Sequence, residues 1–175
     1  MSDNAQVTSI VDRHAGYVQC LREHGLPVEE SLVVQEGRRL GVHGVMDSAQ
    51  TPADESGDRA ALHAVLQRPD RPTAVVTTNE YVGLHVLYAA GDVGLDVPGD
   101  LAIVSCGGAD ISTHARVPLT SIVQPAAGLG RQAAYLLLDR ITGRSSAARR
   151  VVVPVSLVVR RSCGATPLAA PSVRA

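Results

Sequence analysis

Apolar positions recur along the chain at two periods, one of helices and one of short buried strands. Tyr17, Cys20, Leu21 and His24 fall at i, i+3, i+4 and i+7, one helical face, and Gly25 followed by Pro27 ends it. SLVVQ (31–35) predicts a short buried strand, and residues 36–56, rich in Gly, Ser, Asp and Pro, predict a long loop. Leu62, Val65 and Leu66 mark a second helix that ends before Pro69. TAVVTT (73–78) reads as a strand that runs straight into a helix from Asn79 to Ala90. That helix is apolar nearly all round, so it should be covered on two sides. LAIVS (101–105) and LTSIV (119–123) predict further strands, with SCGGAD a turn between them. Pro125 opens a helix whose stripe of Leu129, Ala133, Leu136, Leu137 and Ile141 stops at Gly143. VVVPVSLVV (151–159) predicts two short strands broken at Pro154, because proline lacks the ladder donor. Residues 165–175 read as a flexible tail. Strands alternating with helices predict an α/β fold whose largely parallel sheet is covered on both faces.

Composition narrows the chemistry. The chain has 175 residues, 45% of them hydrophobic, which suits one folded domain and excludes disorder for most of its length. It has no Phe and no Trp, and its four Tyr are the only aromatics, so the core must be aliphatic. Stacking platforms for single-stranded nucleic acid are accordingly missing. The start, MSDNAQVTSIVD, has neither a basic leader nor an apolar segment. No apolar run approaches the roughly 20 residues a membrane helix needs. Cys20, Cys106 and Cys163 are scattered and odd in number, which fits neither a disulfide framework nor zinc spacing. A cytoplasmic protein with reduced thiols, away from membranes, is expected.

All 16 basic residues are Arg, and they are unevenly placed. Residues 1–139 hold 9 Arg against 17 acids, a net of -8, and residues 140–175 hold 7 Arg and no acid, a net of +7. A nucleic-acid-binding arm is one reading. Arg149, Arg150, Arg160 and Arg161 flank apolar strands rather than forming a polar run, so charge that blocks unwanted strand pairing is the preferred one.

Several local patterns suggest chemistry and fall short of it. GLGRQA (128–133) matches a dinucleotide fingerprint, yet no acid follows Asp139 to hold a ribose hydroxyl. Ser105, Asp110 and His114 lie close in sequence, but no G-x-S-x-G elbow surrounds the serine. Cys106 is more simply small core filling than a nucleophile. Asp92, Asp96 and Asp100 are spaced unlike a calcium loop, and the six His show no metal-ligand spacing. Neither an enzyme nor a cofactor or metal is expected. Asn79, where a strand gives way to a helix, carries two readings: a helix cap, or a ligand contact at the carboxyl end of a parallel strand.

From Arg13 to Gly164 the chain resembles the later part of LacI/GalR-type transcriptional repressors. RHAGYVQCLREHGLPV (13–28) resembles the family's R-x-x-G-aromatic helix, with MSDNAQVTSIVD occupying a loop ahead of it. Residues 71–105 resemble its run of strand, Asn-Asp, helix and V-P-x-D loop. VPLTSIVQP, LGRQAAYLLLDRITG and RRVVVPVSLVVRRSCG then follow in the family's order. The resemblance implies an incomplete, Rossmann-like three-layer sandwich of the periplasmic-binding-protein (type I) kind. It implies an effector-binding and dimerisation portion over residues 1–164 that binds a sugar or related small molecule without turnover. Homodimer contact is expected through Val82, Leu84 and Val86, and DNA contact only through a helix-turn-helix module absent from this sequence. A stand-alone sugar-binding module, or a remnant without activity of its own, is the alternative.

In the resemblance Arg13 and Asn79 reach the effector, with Gly107, Gly108 and Ala126 at neighbouring positions of the site. A guanidinium offers forked donors, and a carboxamide both donates and accepts. The family's pattern is departed from in three places. Asn-Asp is Asn79-Glu80, the Gly-aromatic-Asp-Asp register holds Ser105, Cys106, Gly107 and Gly108, and Ala126 stands where some members have Phe. A sugar grip lacking the aspartate pair is weakened. The helix that begins at Pro125 packs, in the family, on a subdomain missing from this sequence, so its apolar stripe needs another cover.

Overall fold

The structure, a computed structural model, describes residues 8–34, 55–108, 110–144 and 147–165. Helix α1 (Thr8–Glu23) is followed by a single 3-10 turn at Glu30–Leu32. Helix α2 (Glu55–Leu66), strand β1 (Ala74–Thr77), helix α3 (Glu80–Asp92) and strand β2 (Ala102–Gly107) come next. Strand β3 (Thr120–Val123), helix α4 (Ala126–Ile141) and strand β4 (Ser156–Val158) complete the order.

The four strands form one sheet in the order β1-β2-β3-β4. β1 pairs with β2 and β2 with β3 in parallel, and β4 joins β3 antiparallel. The register sets Thr77 beside Ser105 and Ser105 beside Ser121, so the carboxyl ends of the three parallel strands share one edge. Ser162 ties the opposite edge: its Oγ donates to Ile103 O at 2.6 Å and accepts from Thr120 N at 2.8 Å. The sheet is largely parallel and part of an α/β fold, as the sequence predicts.

The core lies between the sheet and α3. Leu87, Leu101, Ile103 and Leu119 are fully buried, with Leu84, Val86, Ala89, Ala90 and, from α2, Leu62 and Leu66 around them. Helix α3 therefore meets the sheet on one side and α2 on the other, as its nearly all-round apolar pattern requires. Gly83 makes the close approach possible. A Cβ there would stand 2.9 Å from Leu119 Cδ1 and 3.3 Å from Thr77 Oγ1.

Five expectations need correction. SLVVQ is not a strand: Glu30–Leu32 form a 3-10 turn, Val33 and Val34 carry no ladder, and Gln35 lies outside the described residues. An apolar run becomes a strand only when a neighbour supplies the ladder, and none of the described strands lies beside this one. Only the second half of 151–159 is strand, and β4 is exposed along its length. Residues 8–12, expected in a loop, begin α1. The sheet is not covered equally on both faces: Val76 on β1 is 58% exposed, and α4 contains no buried residue at all. Ile141 at its end is 70% exposed, so the stripe on α4 has no cover among the described residues. The expected loop at 36–56 lies outside the described residues up to position 54, and Glu55 and Ser56 open α2. Of the expected tail only Ala165 is described.

The contact between α2 and α3 has an electrostatic latch. Arg59 approaches Asp92 at 2.5 Å and His63 Nε2 approaches the same carboxylate oxygen at 3.2 Å. Burial pushes the Asp92 carboxyl up, but the hydrogen bonds from His63 and Arg59 together outweigh it and hold it below the ordinary carboxylate value. A depressed folded-state value means a contribution present above the unfolded carboxylate pKa and lost as pH falls through the folded one. Asp92→Asn is therefore expected to melt slightly below the parent at neutral pH, and the gap should close in acid. Melting curves at pH 7 and in strongly acidic buffer check this, and an unchanged gap would refute it.

Candidate functional site

The carboxyl ends of β1, β2 and β3 gather most of the residues singled out in the sequence. In parallel sheets this edge is where strand-to-helix passages leave room for a ligand. Arg13, half-buried on α1, donates from Nη1 to the Thr78 carbonyl just beyond β1. Asn79 follows in extended conformation, with φ -155° and ψ 174°. Its Oδ1 accepts from Val82 N at 3.0 Å, and Thr77 Oγ1 donates to its carbonyl at 2.9 Å. The cap reading of Asn79 thus holds for the oxygen, while the NH2 end of the same carboxamide takes no part in the cap. Arg13 and Asn79 are brought together by a single peptide carbonyl.

Gly107 and Gly108 stand at the end of β2 with φ of 134° and 87°. Both values lie where side chains with a Cβ are strained. Gln124 N donates to Gly107 O at 3.3 Å, which places the end of β3 beside them. Ala126 is the first residue of α4 and is exposed. It neighbours the glycine pair along the chain of contacts through Gln124, and its own amide donates to Gln124 O at 2.9 Å.

Glu80, which sequence reasoning treats only as a departure from Asn-Asp, is the buried acid of this edge, 3% exposed. Gly108 N donates to its Oε1, and Ser121 Oγ donates to the same oxygen at 2.7 Å. The signal that could have found it was the coincidence of two departures: a longer acid at 80 and missing side chains at 107 and 108.

Cys106 precedes the glycine pair on β2, buried and not in a disulfide. Burial pushes its thiol up; Arg13 draws it down and Glu80 pushes it up again, so both charges are felt at one sulfur. A raised, buried thiol is a poor nucleophile. Disulfide-exchange titration of the native chain should modify exposed Cys20 quickly and Cys106 only on unfolding; equal rates would contradict this burial.

Other candidates are not assembled. Ser105 is fully buried and its Oγ donates to Thr120 O at 3.4 Å, whereas the His114 ring meets Thr113 Oγ1 at 2.7 Å. GLGRQA lies inside α4 rather than at a strand-to-helix turn, so its glycines cannot cradle a pyrophosphate. Asp96 and Asp100 serve their own loop, accepting from Gly99 N at 3.3 Å and Asp96 N at 2.9 Å. Among the described residues, no cluster of three His, Cys, Asp or Glu could hold a metal. No helix among them is long and apolar enough to cross a membrane. Of the three residues expected at a dimer contact, Leu84 and Val86 are buried in the chain's own core and Val82 is half-buried. Side chains already packed inside one chain cannot form the surface for another; the outward face of α3 is Tyr81, His85 and Tyr88.

Residues 1–163 match the family described as periplasmic binding protein-like domain. The HTH-type transcriptional repressor PurR of Photorhabdus laumondii is 32% identical over 150 residues, which cover 86% of this chain and 40% of that protein. PurR of Pectobacterium carotovorum is 35% identical over 153 residues, with the same 86% and 40% coverage. The chain belongs to the periplasmic-binding-protein-like family, in its LacI/GalR-type branch.

Solved structures agree with that assignment. The transcriptional regulator CelR in complex with cellobiose superimposes with a TM-score of 0.71 at 32% identity, over 87% of this chain and 42% of that one. A regulatory protein of the LacI family from Chloroflexus aggregans gives a TM-score of 0.71 at 28% identity, over 87% and 50%. The chain spans about 40% of the length of the curated relatives it matches, and it corresponds to an effector-binding portion of such regulators. Both curated relatives are HTH-type transcriptional repressors.

Proposed function

We propose that this LacI/GalR-type chain senses a small, sugar-like effector at the carboxyl edge of β1, β2 and β3, and that it turns nothing over. The observation that carries the reading is the meeting of Arg13 with the peptide beside Asn79, at the carboxyl ends of β1 and β2. A guanidinium fork and a carboxamide NH2 supply donors. Such a set suits a neutral ligand rich in hydroxyl groups. Effector binding would change DNA affinity only through its different affinity for two arrangements of the whole regulator. In this reading DNA contact belongs to the helix-turn-helix module of the longer regulator, not to residues 1–164. A cytoplasmic homodimer belongs to the same proposal, with Tyr81 and Tyr88 beside Val82 as its contact on α3. Sedimentation at micromolar concentration tests the dimer, and a monomer would remove it.

Thermal melting against a panel of neutral mono- and disaccharides and purine bases tests the effector site. A ligand at a hundredfold excess over its Kd should add about 2.7 kcal/mol, which raises the melting temperature by roughly 5–10 °C. A flat response across the panel would overturn the reading.

A further inference from the structure

The carboxylate of Glu80 does more at this edge than fill space. It reaches from the first turn of α3 across the end of β2, accepting from Gly108 N and from Ser121 Oγ on β3. A Cβ built on Gly107 would fall on Glu80 Oε2, well inside contact distance, with Glu80 Cδ at 3.0 Å and Oε1 at 3.1 Å. These atoms cannot retreat as an exposed side chain could, because Glu80 is 3% exposed and its partner Ser121 is fully buried. The carboxyl group therefore occupies the volume that a side chain at position 107 would need.

We propose that Glu80 is a positioning residue of the effector site, whose carboxylate replaces a side chain at 107 and pins the Gly107–Gly108 backbone to α3 and β3. Three strand ends that bound the site are thereby held as one body: β1 through the Asn79 cap that starts α3, β2 through Gly108 and β3 through Ser121. Glycine at 107 and glutamate at 80 form a matched pair, because a side chain at 107 clashes for as long as Glu80 is in place. The consequence for binding rests on the effector reading above, but the pin itself is measurable without any ligand.

The test uses the full chain and four variants: Glu80→Gln, Glu80→Ala, Gly107→Ala and the double Glu80→Ala/Gly107→Ala. A charge-assisted bond should draw the Gly108 amide proton downfield in the nitrogen-labelled chain. Glu80→Gln should move that proton upfield while keeping most of the melting temperature, because a carboxamide oxygen still accepts. Gly107→Ala should lower the melting temperature by roughly 5 °C or more through the clash and the positive φ. In the Glu80→Ala background the same change should cost distinctly less, since the clashing atoms are gone. Equal costs in both backgrounds, or a Gly108 proton indifferent to Glu80→Gln, would overturn the proposal. Cellobiose then separates the two ideas. If it stabilises the parent and Glu80→Gln but not Glu80→Ala, the pin serves binding; if it stabilises Glu80→Ala as well as the parent, the positioning role fails. If no panel ligand stabilises the parent, the effector reading fails, and the proton and melting data alone decide for or against the pin.

Discussion

Leu87→Ala is expected to lower the unfolding free energy by about 2–5 kcal/mol, measured by urea denaturation followed by circular dichroism. Leu87 is 0% exposed and sits in the core cluster shared by α2, α3 and the sheet. Truncation removes its transfer energy and leaves a cavity whose walls, Leu84, Ile103 and Leu119 among the cluster, are fixed by the sheet on one side. Domains of ordinary size have only about 5–15 kcal/mol in total, so this loss is a large share. Ile141→Ala is the control. It removes an aliphatic side chain that is 70% exposed at the end of α4, where the expected change stays within about 0.5 kcal/mol. A loss at Ile141 as large as that at Leu87 would mean that the end of α4 is packed like the core, contrary to its exposure.

That contrast also shows which parts of the fold are legible in the amino-acid sequence. α3 can be read because its apolar residues on all sides demand two neighbours, and α2 and the sheet are both there. α4 reads equally well as a helix, because local periodicity decides helix formation, yet periodicity says nothing of what covers the stripe. SLVVQ shows the opposite limit. Its residues favour a strand, but a ladder is a property of two segments, and the described sheet has no strand beside Val33 and Val34. Pro154 does break its run, although only the segment after it pairs with β3.

The site divides in the same way. Arg13 and Asn79 are visible through a resemblance and through position at a strand end, and they share the Thr78–Asn79 peptide. Glu80 is not, since a single longer acid is unremarkable until the empty volume over Gly107 is known. A residue whose role depends on what another residue lacks is hard to find one position at a time. Two of the three expected contact residues on α3, Leu84 and Val86, face inward for a related reason: all-round apolarity cannot say which side is the outer one.

Arg13→Ala is expected to weaken binding of the best saccharide about ten- to hundredfold, read by isothermal calorimetry. Hydrogen bonds from a charged group contribute about 1.5–3 kcal/mol each, and that range converts to this loss of affinity. The guanidinium is held at the edge by the Thr78 carbonyl, which uses one of its five donors and orients the rest of the fork. Stability should change little by comparison, because Arg13 is only half-buried on α1 and outside the core cluster. Arg13→Lys sharpens the experiment. Lysine keeps the charge but offers a compact ammonium instead of a planar fork, so charge alone would restore binding and fork geometry would not. Loss in both variants, with melting temperatures near the parent's, identifies Arg13 as a directional donor to the effector. Unchanged affinity in Arg13→Ala would remove it from the site and leave its bond to Thr78 as a purely structural tie between α1 and β1.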